Sequence, residues 1–247
     1  MLGWPCHTLK NTNLYHNPKV RNQSKKRKLR PKFLTFTAQP MNNPGIQETD
    51  TLPLMESFYT LQGEGYHTGR PAWFIRLGGC DVGCVWCDVK ESWDPDIHPK
   101  TSVAQMVDQA LEHPARLAVI TGGEPLMYAL DNLTSALQHA GFETNLETSG
   151  AYPITGSWNW VCVSPKKFKP PLPQVLAKAH EYKVVVYHKS DLDWMQQFLP
   201  HLSKDCALFL QPEWSKADTI LPLLIDYCKQ NPEWRISLQT HKYLNIP

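Results

Sequence analysis

The sequence of 247 residues contains no run of the ~18–20 apolar residues that a transmembrane helix needs, and its first thirty residues lack the apolar core of a secretory signal. It also has no internal repeat and no low-complexity tract. Its seven cysteines are an odd number, which argues against a disulfide framework and for a reducing compartment. Because 42% of the residues are hydrophobic, we expect one folded, soluble, cytoplasmic protein with a sizeable core.

Acidic residues are absent from the first forty positions. Residues 1–40 contain nine Lys or Arg and therefore carry +9, which leaves −7 for residues 41–247 of the net +2. Residues 41–247, with that net negative charge, are not expected to bind nucleic acid through a broad basic face. Since the basic segment has no periodic apolar pattern, we expect a disordered extension, or an upstream start with Met41 opening the functional chain. A targeting signal or a basic patch at 25–30 is the alternative.

From residue 73 onward, short β-branched or aromatic segments alternate with helical patterns, as in parallel β/α units. Two helices are predicted at Ser102–Glu112 and Leu126–Ala140, the second ended by Gly141 as the C′ residue. Seven strands are predicted, at Trp73–Leu77, Leu117–Thr121, Phe142–Glu147, Asn159–Val163, Tyr182–Tyr187, Ala207–Gln211 and Arg235–Gln239. We therefore expect an α/β fold, a partial (β/α) barrel of parallel strands.

Polar motifs follow six of these strands. In a barrel of parallel strands, all carboxyl ends open on one face, and that face carries the active site. The motifs are the cysteine segment 80–87, Thr121-Gly122-Gly123-Glu124-Pro125, Glu147-Thr148-Ser149-Gly150, Ser164-Pro165-Lys166, Gln211-Pro212-Glu213 and Gln239-Thr240-His241-Lys242. We expect these six loops to converge on one pocket.

The cysteine segment places Cys80, Cys84 and Cys87 at a C-x-x-x-C-x-x-C spacing. Thiolates select iron–sulfur clusters or zinc, and three ligands to a four-iron cluster leave one iron open for another ligand. Zinc remains the alternative, but a closed zinc site needs a fourth ligand, for which His67, His98 or a distant cysteine is available. Trp86 lies between two of these cysteines and is expected near the bound group.

Together with Gly122-Gly123-Glu124-Pro125, this loop resembles the signature of the radical S-adenosylmethionine (SAM) superfamily. The resemblance implies a catalytic domain over residues 41–247, with a [4Fe–4S] cluster on the three cysteines and SAM on its open iron. Gly-Gly before a helix can also simply form a turn.

Further motifs resemble one family within that superfamily, the 7-carboxy-7-deazaguanine synthases, over roughly residues 54–247. They are Leu61-Gln62-Gly63-Glu64-Gly65, Arg76, Cys87-Asp88, Ser164-Pro165-Lys166, and Gln239-Thr240-His241-Lys242 running to Pro247. The resemblance implies a carbon–nitrogen lyase of queuosine precursor biosynthesis. Such an enzyme converts 6-carboxy-5,6,7,8-tetrahydropterin into 7-carboxy-7-deazaguanine with loss of ammonia.

The family's roles, carried over to the matching positions, give two sets of binding residues. The substrate set is Leu61, Gln62, Gly63, Glu64, Arg76, Thr121 and Pro247. The cofactor set is Trp86, Asp88, Gly122, Gly123, Glu124, Ser164, Pro165, Lys166, Gln211 and Pro212. Arg76 can grip a carboxylate bidentately and Lys166 can meet the methionyl carboxylate, although Gln62-Gly63 can also be a plain turn and Lys166 part of a solvated basic loop.

One position departs from the family pattern. After Cys-Asp the family typically has a threonine that helps bind Mg²⁺, whereas this chain has Val89, which has no oxygen to donate. Either Mg²⁺ is held by substrate, water and a nearby oxygen such as that of Ser92 or Glu91, or the enzyme works without it.

The resemblance also implies partners: an electron donor such as flavodoxin or ferredoxin, and a second copy in a homodimer. No nucleic acid or membrane is expected. Two rival functions remain, a glycyl-radical-enzyme activase with the same cysteine loop, and a non-catalytic iron–sulfur or zinc protein. The second rival does not need Gly122–Pro125 and Ser164–Lys166 on one face.

Overall fold

The computed structural model describes residues 50–247. Its nine strands are β1 (Thr51–Leu61), β2 (Pro71–Leu77), β3 (Lys100–Ser102), β4 (Leu117–Gly122), β5 (Glu143–Thr148), β6 (Trp160–Val163), β7 (Glu181–Val186), β8 (Ala207–Pro212) and β9 (Trp234–Ile236). Its α-helices are α1 (Val103–Leu111), α2 (Asp131–His139), α3 (Pro173–Leu176), α4 (Ser190–Gln196), α5 (Ala217–Gln230) and α6 (Thr240–Leu244). The expectation for residues 1–40 lies outside the described residues.

All nine strands form one sheet in the order β3-β1-β2-β4-β5-β6-β7-β8-β9. From β2 to β9 every neighbouring pair is parallel, whereas β1 pairs antiparallel with both β2 and β3. Because β3 and β9 are the two ends of this order, the sheet does not close into a full barrel. The predicted partial (β/α) barrel is confirmed, with an antiparallel β1 and β3 added at one edge.

Alternation along the strands sorts the side chains between two faces. Leu77, Ile120 and Leu146 belong to the main core, which packs against the helices, and all three are fully buried. On the other face lies a small apolar cluster of Ala72, Leu117 and Val119. Along β2 and β4 it precedes the polar Arg76 and Thr121. The inner face is thus apolar at one end and polar towards the carboxyl ends of the strands.

Three predicted elements differ from the structure. The strand count is nine instead of seven, because the prediction began at residue 73 and omitted β1 and β3, and the alternation of β1 is broken by a register shift between Leu54 and Glu56. The predicted helix Leu126–Ala140 is a 3₁₀ turn at Pro125–Met127 followed by α2 from Asp131. The last strand ends at Ile236, although the Ser237 amide still donates to the Leu210 carbonyl of β8 at 2.9 Å.

The helix ends follow local sequence signals. Ser102 caps α1 in a capping box with Gln105, which confirms the predicted start of that helix. Gly141 follows α2 with φ +83°, the left-handed conformation expected at C′. None of the helices in residues 50–247 is long and apolar enough to cross a membrane.

Candidate active site

The six motif loops do converge on one cavity of about 290 Å³ at the carboxyl ends of the parallel strands. The residues that line it from these loops are Cys80, Cys84, Cys87, Thr121, Gly122, Gly123, Glu124, Glu147, Thr148, Ser149, Ser164, Lys166, Gln211, Glu213, Gln239, His241 and Lys242. The loop after β1 supplies Leu61, Gln62, Gly63 and Glu64. The predicted convergence is therefore confirmed.

The three cysteines of the loop after β2 share one wall of this cavity. Cys84 is buried, while Cys80 and Cys87 are partly exposed, and all three are reduced. Burial raises the pKa of the Cys84 thiol to about 11, against the opposing effect of the Lys166 charge. Metal binding displaces thiol protons, so a bound cluster would hold these groups as thiolates.

The backbone beside the cysteines leaves room only for glycine. A Cβ at Gly123 would lie 2.1 Å from the Gly79 carbonyl oxygen, and one at Gly122 would lie 2.1 Å from the Leu77 oxygen. Gly122 also has φ +135°. These glycines let the loop after β4 pass close to the cysteine loop. We call Gly122 and Gly123 the glycine cradle, because their backbone leaves space for a bound cofactor where side chains would not.

Glu124 does not present its carboxylate to the cavity freely. It is 1% exposed and accepts hydrogen bonds from the Thr148 hydroxyl (2.5 Å), from the Ser149 amide (2.8 Å) and hydroxyl, and from the Leu126 amide (3.1 Å). These bonds join the loop after β4 to the loop after β5. Glu124 thus fixes the glycine loop by its side chain.

Of the other seven predicted cofactor residues, five line the main cavity, one lines only a neighbouring cavity and one lines neither. Trp86, Asp88, Ser164, Lys166 and Gln211 line the main cavity. Lys166 is half-buried, donates to the Ser164 hydroxyl at 2.7 Å, and lies 5.6 Å from the centre of the Trp86 ring, so it is not a solvated loop lysine. Burial lowers its pKa. Pro165 lines a smaller neighbouring cavity of about 140 Å³, and Pro212 lines neither.

All seven predicted substrate residues line the main cavity. Arg76 differs from expectation in one respect, because its Nε already donates to Glu56 at 2.6 Å. Gln62-Gly63 is more than a turn, since the Gly63 carbonyl accepts from the Thr240 amide (2.8 Å) and hydroxyl (2.9 Å). The Pro247 carbonyl accepts from the Thr60 hydroxyl at 3.2 Å.

Lys183 is the site residue that sequence reasoning missed. It lies on β7 within a strand of apolar pattern, its side chain is 3% exposed, and it donates to Glu64 (2.8 Å) and Glu147 (3.0 Å). Burial opposes its charge, but the surrounding acidic groups outweigh burial and raise its pKa well above the ordinary value. The signal available in the sequence was a lysine directly before the apolar segment Val184–Val186, in a strand where an unpaired buried charge is not tolerated.

The candidate Mg²⁺ ligands are only partly brought together. Val89 and Ser92 line the cavity, whereas Glu91 is exposed and lies outside the lining. The Ser92 hydroxyl donates to the Val89 carbonyl at 2.7 Å, and Asp88 accepts from Lys242 at 3.2 Å. Among residues 50–247, no group of three or more His, Cys, Asp and Glu side chains is arranged around a single metal ion.

The donor set therefore fits an iron–sulfur cluster better than a single zinc ion. In a cluster each cysteine binds a different iron, so the thiolates do not have to meet at one point. Three thiols on one wall, a glycine cradle beside them and the lysine Lys166 facing them are the arrangement of a radical SAM enzyme. Comparison with known proteins agrees, because the model of the radical SAM superfamily matches residues 74–185.

Relatives narrow the class. The chain is 52% identical to the 7-carboxy-7-deazaguanine synthase of Flavobacterium psychrophilum over 82% of this chain and 96% of that protein. It is 43% identical to the synthase of Synechocystis sp. over 80% and 95% of the two chains. The solved structure of QueE from Escherichia coli matches with a TM-score of 0.72 and 36% identity, over 82% of this chain and all of that one. This chain therefore belongs to the 7-carboxy-7-deazaguanine synthase family of radical SAM enzymes.

Proposed function

We propose that this chain converts 6-carboxy-5,6,7,8-tetrahydropterin into 7-carboxy-7-deazaguanine and ammonia. Its relatives from Flavobacterium psychrophilum and Synechocystis sp. are named as synthases of that product. The observation that carries the proposal here is the polarity of the cavity wall, which has an acidic side at Glu64 and Glu147 and a basic residue, Arg76, on another strand. A pterin with a carboxyl group offers N–H donors at one edge and a carboxylate at the other.

Sheet order separates these two sides. Arg76 lies on β2 and Glu147 lies on β5, with β4 between them in the sheet. The Nη atoms of Arg76 extend beyond the Nε that Glu56 occupies, and a guanidinium can bind a carboxylate through such donors. Thr121 is the register partner of Arg76 and adds a hydroxyl on the same side. We assign this side to the substrate carboxylate.

Cys80, Cys84 and Cys87 would hold the [4Fe–4S] cluster, with Gly122, Gly123, Ser164 and Lys166 around SAM. When bound, the reduced cluster and SAM supply the one-electron chemistry that starts hydrogen abstraction. The protein's own residues orient the substrate edge, keep the backbone close to the cofactor through glycine, and exclude water behind the apolar layer Ala72, Leu117 and Val119.

The experiment is anaerobic reconstitution followed by turnover with the pterin and SAM, with the product identified by mass. We expect 7-carboxy-7-deazaguanine and ammonia in equal amounts. SAM cleavage without that product, even at saturating pterin, would contradict the proposed substrate. Cleavage stimulated by a protein carrying a glycyl-radical site would instead support the activase alternative.

An external electron donor such as flavodoxin or ferredoxin is part of the proposal. It is supported by the position of the cysteine loop at the protein surface, where Val85 is 66% exposed between two of the cysteines. The homodimer stays a prediction that the mass of the native protein in solution would test.

We further propose that Mg²⁺ acts only as a weak or broadly replaceable activator. The side chain of Val89 supplies no oxygen, where the family pattern has a threonine hydroxyl. Mg²⁺ commonly keeps several waters, so losing one protein hydroxyl need not empty its site. Turnover against Mg²⁺ concentration after chelator treatment should be shallow, and Val89→Thr should steepen it. A strict, tight Mg²⁺ requirement of the natural protein would contradict this and point to Ser92.

A further inference from the structure

A buried lysine at the inner end of the cavity joins parts of the chain that are far apart in sequence. Lys183 donates to Glu64, 119 residues away in the loop after β1, and to Glu147, 36 residues away at the end of β5. Removing an ammonium group from water is costly unless it is paired, and here both partners accept directly. Two carboxylates around one buried lysine leave one net negative charge on this part of the wall.

These three groups belong to a closed ring of hydrogen bonds. Gln62 Nε2 donates to Glu147 Oε1 at 3.3 Å, and Gln62 Oε1 accepts from the backbone amide of Glu64 at 3.1 Å. Gln239 Nε2 donates to Glu64 Oε1 at 2.8 Å and joins the ring to the start of α6. Each carboxylate oxygen of Glu64 therefore has one protein donor, and its orientation is set from two sides.

The ring still has acceptor capacity towards the cavity. A carboxylate offers about four lone-pair directions; two donors use two of them on Glu64, and Glu147 accepts from Gln62 and Lys183 and also faces the Cys162 thiol. All members of the ring line the cavity. The remaining lone pairs can accept N–H groups of a ligand, whereas the ammonium group of Lys183 already donates to both carboxylates.

We propose that Lys183 is a positioning residue that holds Glu64 and Glu147 as a paired acceptor for the N–H-bearing edge of the substrate. This inference rests on the proposed function and adds a specificity element to the same cavity. Lys183 does not contact the reacting atoms. It acts by keeping two like-charged carboxylates close together and fixed in orientation.

Removal of the lysine charge should make substrate binding depend on pH, because two unpaired neighbouring carboxylates favour sharing a proton. The titratable and charged groups that face Lys183 come from every element around it: Glu64, Glu147, Cys162, Glu181, Lys166 and, through Glu64, His241. Lys183→Met keeps an unbranched side chain that is one heavy atom shorter, and removes the charge and the hydrogen-bond donors.

The test is equilibrium binding of 6-carboxytetrahydropterin together with steady-state turnover of the reconstituted enzyme, from pH 5.5 to 8.5. For Lys183→Met we expect Kd and KM to rise tenfold or more, with a new ionisation in that range. Lys178→Met, an exposed lysine outside the cavity, is the matched control and should leave all values unchanged.

A second variant keeps the inference testable if Lys183→Met folds poorly. Lys183→Met combined with Glu147→Gln restores one net negative charge, so it should fold and lose the new pH dependence while keeping a raised Kd. If either variant that folds binds the pterin with natural affinity and a natural pH profile, the positioning role is wrong. If the natural enzyme itself neither binds nor converts the pterin, the proposed function fails first.

Discussion

The cysteine loop and the Lys183 ring line the same cavity and are built in different ways. The loop places its three cysteines within eight consecutive residues and presents an exposed edge, with Val85 66% exposed. The ring brings together a loop, two strands and the start of α6, and Lys183 at its centre is 3% exposed. One region depends on local spacing, and the other depends on the assembled sheet.

This difference between the two regions matches what cluster binding and substrate recognition each require. A soft metal cluster needs only thiolates at suitable spacing, which a short loop can supply, and an external electron donor needs that loop near the surface. Hydrogen-bond recognition of a small molecule needs fixed acceptors in a water-poor place, which only packed strands can hold. The predictions below address these regions in turn, from the largest expected effect to the smallest.

The largest effect is expected in the cysteine loop. Cys84→Ala should abolish SAM cleavage and lower iron content well below the about four irons per chain that we expect after reconstitution, because two thiolates cannot hold the cluster. Iron analysis and visible absorption are the measurements. Cys228→Ala on α5, outside the cavity, is the control and should keep both. Stoichiometric zinc in protein made with ample iron would contradict the cluster assignment.

The second prediction concerns the ring and the loss of the free energy of unfolding at acid pH. Although burial opposes ionisation, the charge and hydrogen bond of Lys183 lower the pKa of Glu64 from 4.5 to about 2. A lowered folded-state pKa gives stability that is present above about pH 4.5 and is lost as the pH falls towards 2, here about 3 kcal/mol. Urea unfolding of the cluster-free protein at pH 5, 4 and 3 should show this loss. Glu64→Gln should show a flatter dependence, and equal slopes for both proteins would contradict the assignment.

Glu124 connects the two regions, so its substitution should affect stability and cofactor binding together. In Glu124→Gln the NH₂ group would replace one of the two carboxylate oxygens and so face either the Thr148 and Leu126 donors or the two Ser149 donors, at a cost of about 2 kcal/mol in the free energy of unfolding. The measurement is the urea midpoint at an unchanged m-value. Glu112→Gln, an exposed residue at the end of α1, should shift it by less than about 0.5 kcal/mol. A shift equally small for Glu124 would show that its bonds carry little energy.

The smallest effect is expected from one added methyl group beside the ring. In Gly63→Ala the new Cβ would lie 2.3 Å from His241 Nδ1, so the loop after β1 must move. We expect KM for the pterin to rise about tenfold, or about 1.4 kcal/mol, with unchanged SAM cleavage in the absence of the pterin. Gly63→Ala combined with His241→Gly should match His241→Gly alone, since His241→Gly removes Nδ1, Cγ and Cβ, the three atoms that the new methyl group would meet. An additive double variant would place the effect elsewhere.

Much of the fold could be predicted because its signals are local. The parallel strands β2 and β4 to β8 follow from short apolar segments, and Ser102 and Gly141 mark helix ends by chemistry that acts within a few residues. The antiparallel β1 was missed because its pattern is broken by a register shift. The helix predicted from Leu126 was wrong because Glu124 and Pro125 form a separate 3₁₀ turn there.

The sequence by itself determined the cysteine spacing, the glycine cradle and the order of six polar loops, because ligand spacing and strand order are properties of the chain. Only the tertiary structure decided that Arg76 shares its Nε with Glu56, that Glu124 points away into hydrogen bonds, and that Lys183 holds two carboxylates. Those facts depend on contacts between residues from 20 to 119 positions apart. Such contacts exist only once the strands have been brought into register, since spacing along the chain does not specify them.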